Sequence, residues 1–135
     1  MYHHINPDSG SIKELEEVGV DLVIEIIGMF QSQYKDDCKQ IGDAISKNDF
    51  ERISRNGHSI GRMFAMFLSN DHPAAKQLYE FETSARTKSY EHRNNDFVKN
   101  DVDFKKLFTE IKKLLKEPLA EINILGEEYK NGLRP

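Results

Sequence analysis

The sequence predicts an all-α fold: an antiparallel up-and-down four-helix bundle with a short N-terminal helix and a C-terminal helical extension. Three observations carry this. Apolar residues recur at spacings of three and four over long stretches, while alternation over a strand-length window is hard to find. Eight glycines and four prolines are dispersed, so no linker, repeat or low-complexity tract divides the 135 residues. At that length one domain is the default. It buries roughly two-thirds of the unfolded surface, enough for a core without disulfide or metal staples.

The first helix is expected from Ser11 to about Val18, with Ser11 as its cap and Glu14 as the capping-box partner. Asp21 opens the second, which runs to about Lys47. Leu22, Val23, Ile26, Ile27 and Phe30 form its first apolar face, and Tyr34, Cys38, Ile41 and Ile45 continue the stripe. Asn48-Asp49 reads as a break and a cap. The third helix spans Asp49 or Phe50 to about Leu68 and turns Ile53, Gly57, Ile60, Phe64 and Phe67 inward. Ser69 to Asp71 reads as a turn, with Asp71 capping a fourth helix that has Pro73 near its first position, where a missing N–H costs nothing. That helix buries Ala74, Leu78, Phe81 and Ala85 and grows polar towards Asn94-Asn95. A last helix from Asp101 or Asp103 buries Phe104, Leu107, Phe108, Ile111, Leu114 and Leu115, and Pro118 is expected to kink or end it. Residues 11–117 thus make the bundle, and 118–135 an extension that packs on it or trails from it.

The composition excludes several classes. The formal charge of -4, from 19 basic against 23 acidic residues, argues against a nucleic-acid binder, which needs a basic face. The single Cys38 excludes an internal disulfide and any multi-cysteine metal centre, and its place in an apolar stripe suits a small buried hydrophobe. No basic segment followed by an apolar one opens the chain, and no apolar run approaches the ~18 residues of a membrane span. A cytoplasmic monomer, with no membrane contact, is the expectation.

Five histidines are present: His3, His4, His58, His72 and His92. His3 and His4 read as a frayed surface terminus, His72 as helix-start surface, and His92 has no evident partner. No metal-ligand spacing, phosphate-binding glycine loop or serine–base pairing occurs, so hydrolase, metal and nucleotide chemistry have little support. The acidic pairs Asp36-Asp37 and Glu127-Glu128 read as solvated helix faces. His58 differs. It follows the core position Gly57, about 100° further round the helix, at the edge of the apolar stripe. Its neighbours at three and four residues are Ser54, Arg55, Gly61 and Arg62. Two cations beside an imidazole on a rigid helix suit a phosphoryl group, and Gly61 leaves room for close approach at about 1 kcal/mol of helix propensity. The same pattern also describes a boundary histidine flanked by two surface arginines.

The stretch from Asp21 to about Glu82 resembles the histidine-containing phosphotransfer (HPt) domain of two-component phosphorelays. The resemblance begins in DLVIEIIGMF, passes through AISKNDFERI and reaches RNGHSIG, with Phe30, Asp49, Gly57, His58 and Ile60 in register. In YEFE, Glu80 or Glu82 takes the place of the family's apolar-Glu pair. The family usually has Lys and Gly at the two places held here by Gly61 and Arg62. Arg62 then supplies the positive charge one position later, with Arg55 one turn upstream.

The resemblance implies that His58 accepts a phosphoryl group from the aspartate of a receiver domain and passes it to another. Arg55 and Arg62 would steer the group. Ser54, Ser59, Gly61 and Ala65 would line the docking surface, with Gln77 and Lys76 or Arg86 contributed by the following helix. The protein would be a phosphocarrier rather than a stand-alone catalyst, without a cofactor of its own; magnesium belongs to the receiver. Its partners would be response-regulator receiver domains, with a hybrid sensor histidine kinase as a further candidate. The alternative is a docking or inhibitory module of the same shape that binds a kinase or receiver without transfer.

Overall fold

The computed structural model describes residues 2–8, 10–94 and 101–134. Asn95 and Pro135 therefore lie outside the described residues. Among these residues the chain is all helix: α1 (Gly10–Val18), α2 (Val20–Ser46), α3 (Phe50–Phe64), α4 (Pro73–Arg93) and α5 (Phe104–Lys130). Helix α3 packs on α2 and α4, and α5 closes the ring by packing on the same two, while α1 lies along α2. Helices α2 and α5 run antiparallel. Ile27, early in α2, meets Gly126, late in α5, and Gln31 bonds Asn123.

The stripes read from the sequence become the core. Val23, Ile27, Phe30, Ile41, Ile53, Ile60, Phe64, Leu78, Phe81, Phe108, Ile111 and Leu115 are all buried. Phe30 meets Phe64 edge-on at 4.8 Å, and Phe81 stacks on Phe108 at 5.6 Å. The α2–α3 break forms as expected. Asn48 takes a left-handed conformation at φ 52°, which asparagine tolerates, and the Asp49 side chain accepts the Arg52 N–H. Asp103 caps α5 in the same way.

Several boundaries differ. Helix α1 begins at Gly10, so Ser11 lies inside it and is not its cap. Helix α3 ends at Phe64, before the expected Leu68. The chain then tightens, with the Phe67 and Leu68 N–H groups both donating to the Phe64 carbonyl, and both side chains stay buried. His72, not Asp71, caps α4: its Nδ1 accepts the Ala74 N–H at 3.0 Å. Pro118 does not end α5, which continues through it to Lys130. The proline forfeits one backbone bond, but the following turns bury Ile122, Leu125 and Tyr129, and that burial outweighs the loss. Residues 118–130 are thus the second half of a core helix.

The N-terminal residues also depart from expectation. The backbone N–H groups of His3, His4 and Ile5 all donate to Glu121 Oε1, and Ile5 is buried. A frayed terminus is replaced by a strap tied to α5. Of the acidic pairs, Asp36 and Glu127 are exposed, whereas Asp37 is buried and Glu128 accepts from the Tyr2 hydroxyl at 2.6 Å.

Candidate functional site

Gly57 faces α4 so closely that a Cβ there would lie 3.3 Å from the Phe81 ring. The next residue, His58, faces Glu82, which directly follows Phe81 on α4. The His58 side chain is 60% exposed, while Glu82, which faces it from α4, is 9% exposed. His58 Nδ1 lies 3.6 Å from Glu82 Oε1, and Arg86 Nη1 lies 3.3 Å from the same oxygen. At 3.6 Å the first contact is an electrostatic pairing rather than a formed hydrogen bond. The carboxylate thus sits between an imidazole and a guanidinium.

Beside this pair runs a groove of about 490 Å³ between α3 and the start of α4. Gly61, Arg62 and Ala65 form one wall, Lys76 and Tyr79 the other, and Leu68 and Leu78 lie beneath. A Cβ built on Gly61 meets nothing within 4 Å, so the groove is open over that position. Tyr79 is one of the exposed large side chains, and it edges the groove with a ring.

The rotation of α3 about its axis is set from behind. Asp37 of α2, 1% exposed, accepts from Ser59 Oγ at 2.8 Å, Asn56 Nδ2 at 2.9 Å and Gln33 Nε2 at 3.2 Å. A buried carboxylate demands such partners, and two of them come from the α3 turn that carries His58. With Ser59 and Asn56 held against α2, His58 is presented towards α4 and the groove.

The residues singled out in the sequence therefore separate. His58, Gly61, Arg62 and Ala65 come together at the groove, and Lys76 joins them. Ser59 turns to Asp37 on the α2 side, so it does not line the groove. Arg55 is exposed one turn upstream, and Ser54 and Gln77 are half-buried; none of the three borders the groove. Glu82 and Asp37 are the two residues of the site that periodicity did not assign a role. Arg86, one turn beyond Glu82, was the available signal for the first, because a carboxylate and guanidinium at that spacing pair on one helix face. The signal for Asp37 was its place seven residues after Phe30 and four before Ile41, on the buried face of α2, where a carboxylate needs partners.

The remaining candidates for reactivity are quiet. Burial pushes the Cys38 thiol up, which disfavours the reactive thiolate, and Tyr34 is likewise raised by burial and by Cys38. Among the described residues no group of three or more His, Cys, Asp or Glu side chains is placed to hold a metal ion. No helix among them is long and apolar enough to cross a membrane. No family model, characterised protein or solved structure matches this chain.

Proposed function

We propose that the chain is a phosphohistidine carrier of the HPt type, shuttling a phosphoryl group between receiver-domain aspartates in the cytoplasm. The observation that carries this reading is the exposed His58 ring, with Glu82 at Nδ1 and an open groove beside it. A carboxylate facing Nδ1 favours the tautomer with its proton there. That leaves the Nε2 lone pair as the nucleophile. In transfer, Nε2 attacks phosphorus in the aspartyl phosphate of the partner. The P–N bond forms as the bond from phosphorus to the carboxylate oxygen breaks, and the aspartate leaves with that electron pair. The ring keeps its Nδ1 proton, becomes cationic, and is offset by Glu82. The reverse step returns the group to another aspartate.

Electrostatics support the same assignment. Arg62 and Lys76 border the groove together with Glu80 and Glu82, and Arg86 pairs with Glu82, so Arg62 and Lys76 are the cations free to meet a dianionic phosphoryl group there. Arg62 thereby takes the part of the family's lysine from one position further along, while Arg55 is a steering charge outside the groove. Receiver domains, with a hybrid sensor kinase among the candidates, are the partners this reading calls for, and magnesium enters with the receiver.

The test is incubation with a panel of phosphorylated receiver domains, following radiolabel onto the wild type, His58→Gln and Glu82→Gln. Acid-labile, alkali-stable label is expected on the wild type and none on His58→Gln. Glu82→Gln should accept label more slowly, by roughly tenfold to a hundredfold, through loss of the group that holds the ring proton. Receiver binding without label on the wild type would replace this reading with a non-transferring docking module.

A further inference from the structure

Residues 2–8 cross the end of the bundle where α4 begins and the second half of α5 passes. Their contacts with it include a chain of two imidazoles. His72 Nε2 lies 2.9 Å from His4 Nδ1, and His4 Nε2 lies 2.8 Å from Glu117 Oε2. The cap of α4 fixes every proton in this chain. His72 Nδ1 accepts the Ala74 N–H, so the single proton of that ring is on Nε2 and points at His4. His4 Nδ1 must then be the acceptor, and its own proton lies on Nε2, directed at Glu117. Two neutral rings satisfy the whole arrangement, and a third proton has no place in it. Put on His72 Nδ1, it opposes the Ala74 N–H and abolishes the cap. Put on His4 Nδ1, it opposes the proton of His72.

We propose that this imidazole pair is an acid-sensitive clasp: a proton added to it releases the N-terminal strap and uncaps α4. The inference is independent of any role for His58. The carboxylates facing the pair are Glu117 and Glu121 on α5; His3 on the strap and Asp71 adjoin it in the chain, and Lys76 stands one turn beyond His72 on α4. The two carboxylates attract an added proton, whereas burial and the second imidazole repel it. Burial, then His4, hold His72 below the ordinary imidazole value against the pull of Glu121. A base whose folded pKa is depressed adds stability above its unfolded value, and this is lost as pH falls below about 6.5 towards the folded value. Glu121 does not switch in that window. Burial raises its carboxyl, but the three strap N–H groups and His4 hold it below the usual glutamate range. The strap is thus fastened by an imidazole pair that an added proton opens and by a carboxylate whose charge persists through that window. Ala75, Lys76 and Tyr79, in the first turns of α4, border the groove, so uncapping loosens that wall as well.

Amide hydrogen exchange on the full chain tests this, with protection factors corrected for the intrinsic rate at about pH 7.5 and about pH 5.5. Protection at Ala74 and Ile5 should fall roughly fivefold to tenfold at the lower pH, the size of one lost cap. His72→Asn keeps a capping side chain without a titrating ring, and its Ala74 protection should be the same at both values. Unchanged protection in the wild type, or an equal fall in the variant, would overturn the proposal. Ring nitrogen shifts of the wild type give a reading that needs no variant. Both His4 and His72 should carry their proton on Nε2 at about pH 7.5, and the opposite tautomer at either ring would also overturn it.

Discussion

Gly61 is a residue at which an α-helix gives up stability for space. Beyond the helix's own backbone and the adjoining residues, no atom lies within 4 Å of where its Cβ would be, and the helix continues on both sides. Gly61→Ala should therefore stabilise the protein by roughly 0.5–1 kcal/mol, read as a shifted urea midpoint at constant slope. Gly61→Leu should fold equally well yet fill the groove, and on the proposed function it should stop label transfer while leaving thermal stability intact. Gly57 behaves differently, since a methyl group there presses on the Phe81 ring at 3.3 Å and offsets the gain in propensity. His58, Gly61 and Arg62 were legible in the sequence because their mutual placement is local to one helix. Glu82 was legible only as one of two candidates with Glu80, because its distance from His58 depends on how α4 is rotated and shifted against α3. Nothing in either helix alone sets that relation.

At the scale of the elements, Asp37 shows how one buried charge orients a neighbouring helix. Replacing it with alanine leaves the Asn56 amide and Ser59 hydroxyl facing a void, so Asp37→Ala should lose about 2–4 kcal/mol in urea unfolding. Asp37→Asn retains an acceptor and should lose less. Pro118 supplies the complementary case. Its substitution by alanine restores one backbone bond in the interior of α5, and Pro118→Ala should raise stability by about 1–2 kcal/mol after the loss of its buried ring. A drop in melting temperature would mean that the ring packing dominates. A reading from propensity sees the penalty of a proline and not the apolar turns that follow it. For the same reason it takes Asp36-Asp37 as one solvated pair, although the pair straddles the boundary between the solvent and α3 faces of α2.

For the molecule as a whole, the second half of α5 is structural. Ile122, Leu125 and Tyr129 are buried, a Cβ at Gly126 would lie only 3.0 Å from Ile27 Cγ2, and Glu121 receives the strap. Three such side chains supply about 1.5–3 kcal/mol each, against a total stability of about 5–15 kcal/mol for a domain. A chain truncated after Glu117 should lose its cooperative thermal transition; a sharp transition near the wild-type temperature would show that residues 1–117 fold alone. Glu121 also shapes the acid limb. Its depressed carboxyl contributes stability that is present above the ordinary glutamate value and lost as pH falls through the folded one. Glu121→Gln should flatten the acid side of the stability profile below about pH 4.5, measured by urea midpoints across pH.

The helical class, the succession of helices and the core residues of the bundle up to Leu115 follow from the sequence alone, whereas Ile5 and the buried turns after Pro118 do not. A three-and-four periodicity encodes which face each helix buries, and caps such as Asp49 and Asp103 are read within a few residues. The exposed histidine at the stripe edge is legible on the same grounds. The tertiary structure alone decides what meets across helices: Glu82 with His58, Asp37 with Ser59, Glu121 with the strap, and His4 with His72. Those contacts depend on the rotation and offset of whole helices, which many side chains set jointly. No short stretch of sequence carries that sum.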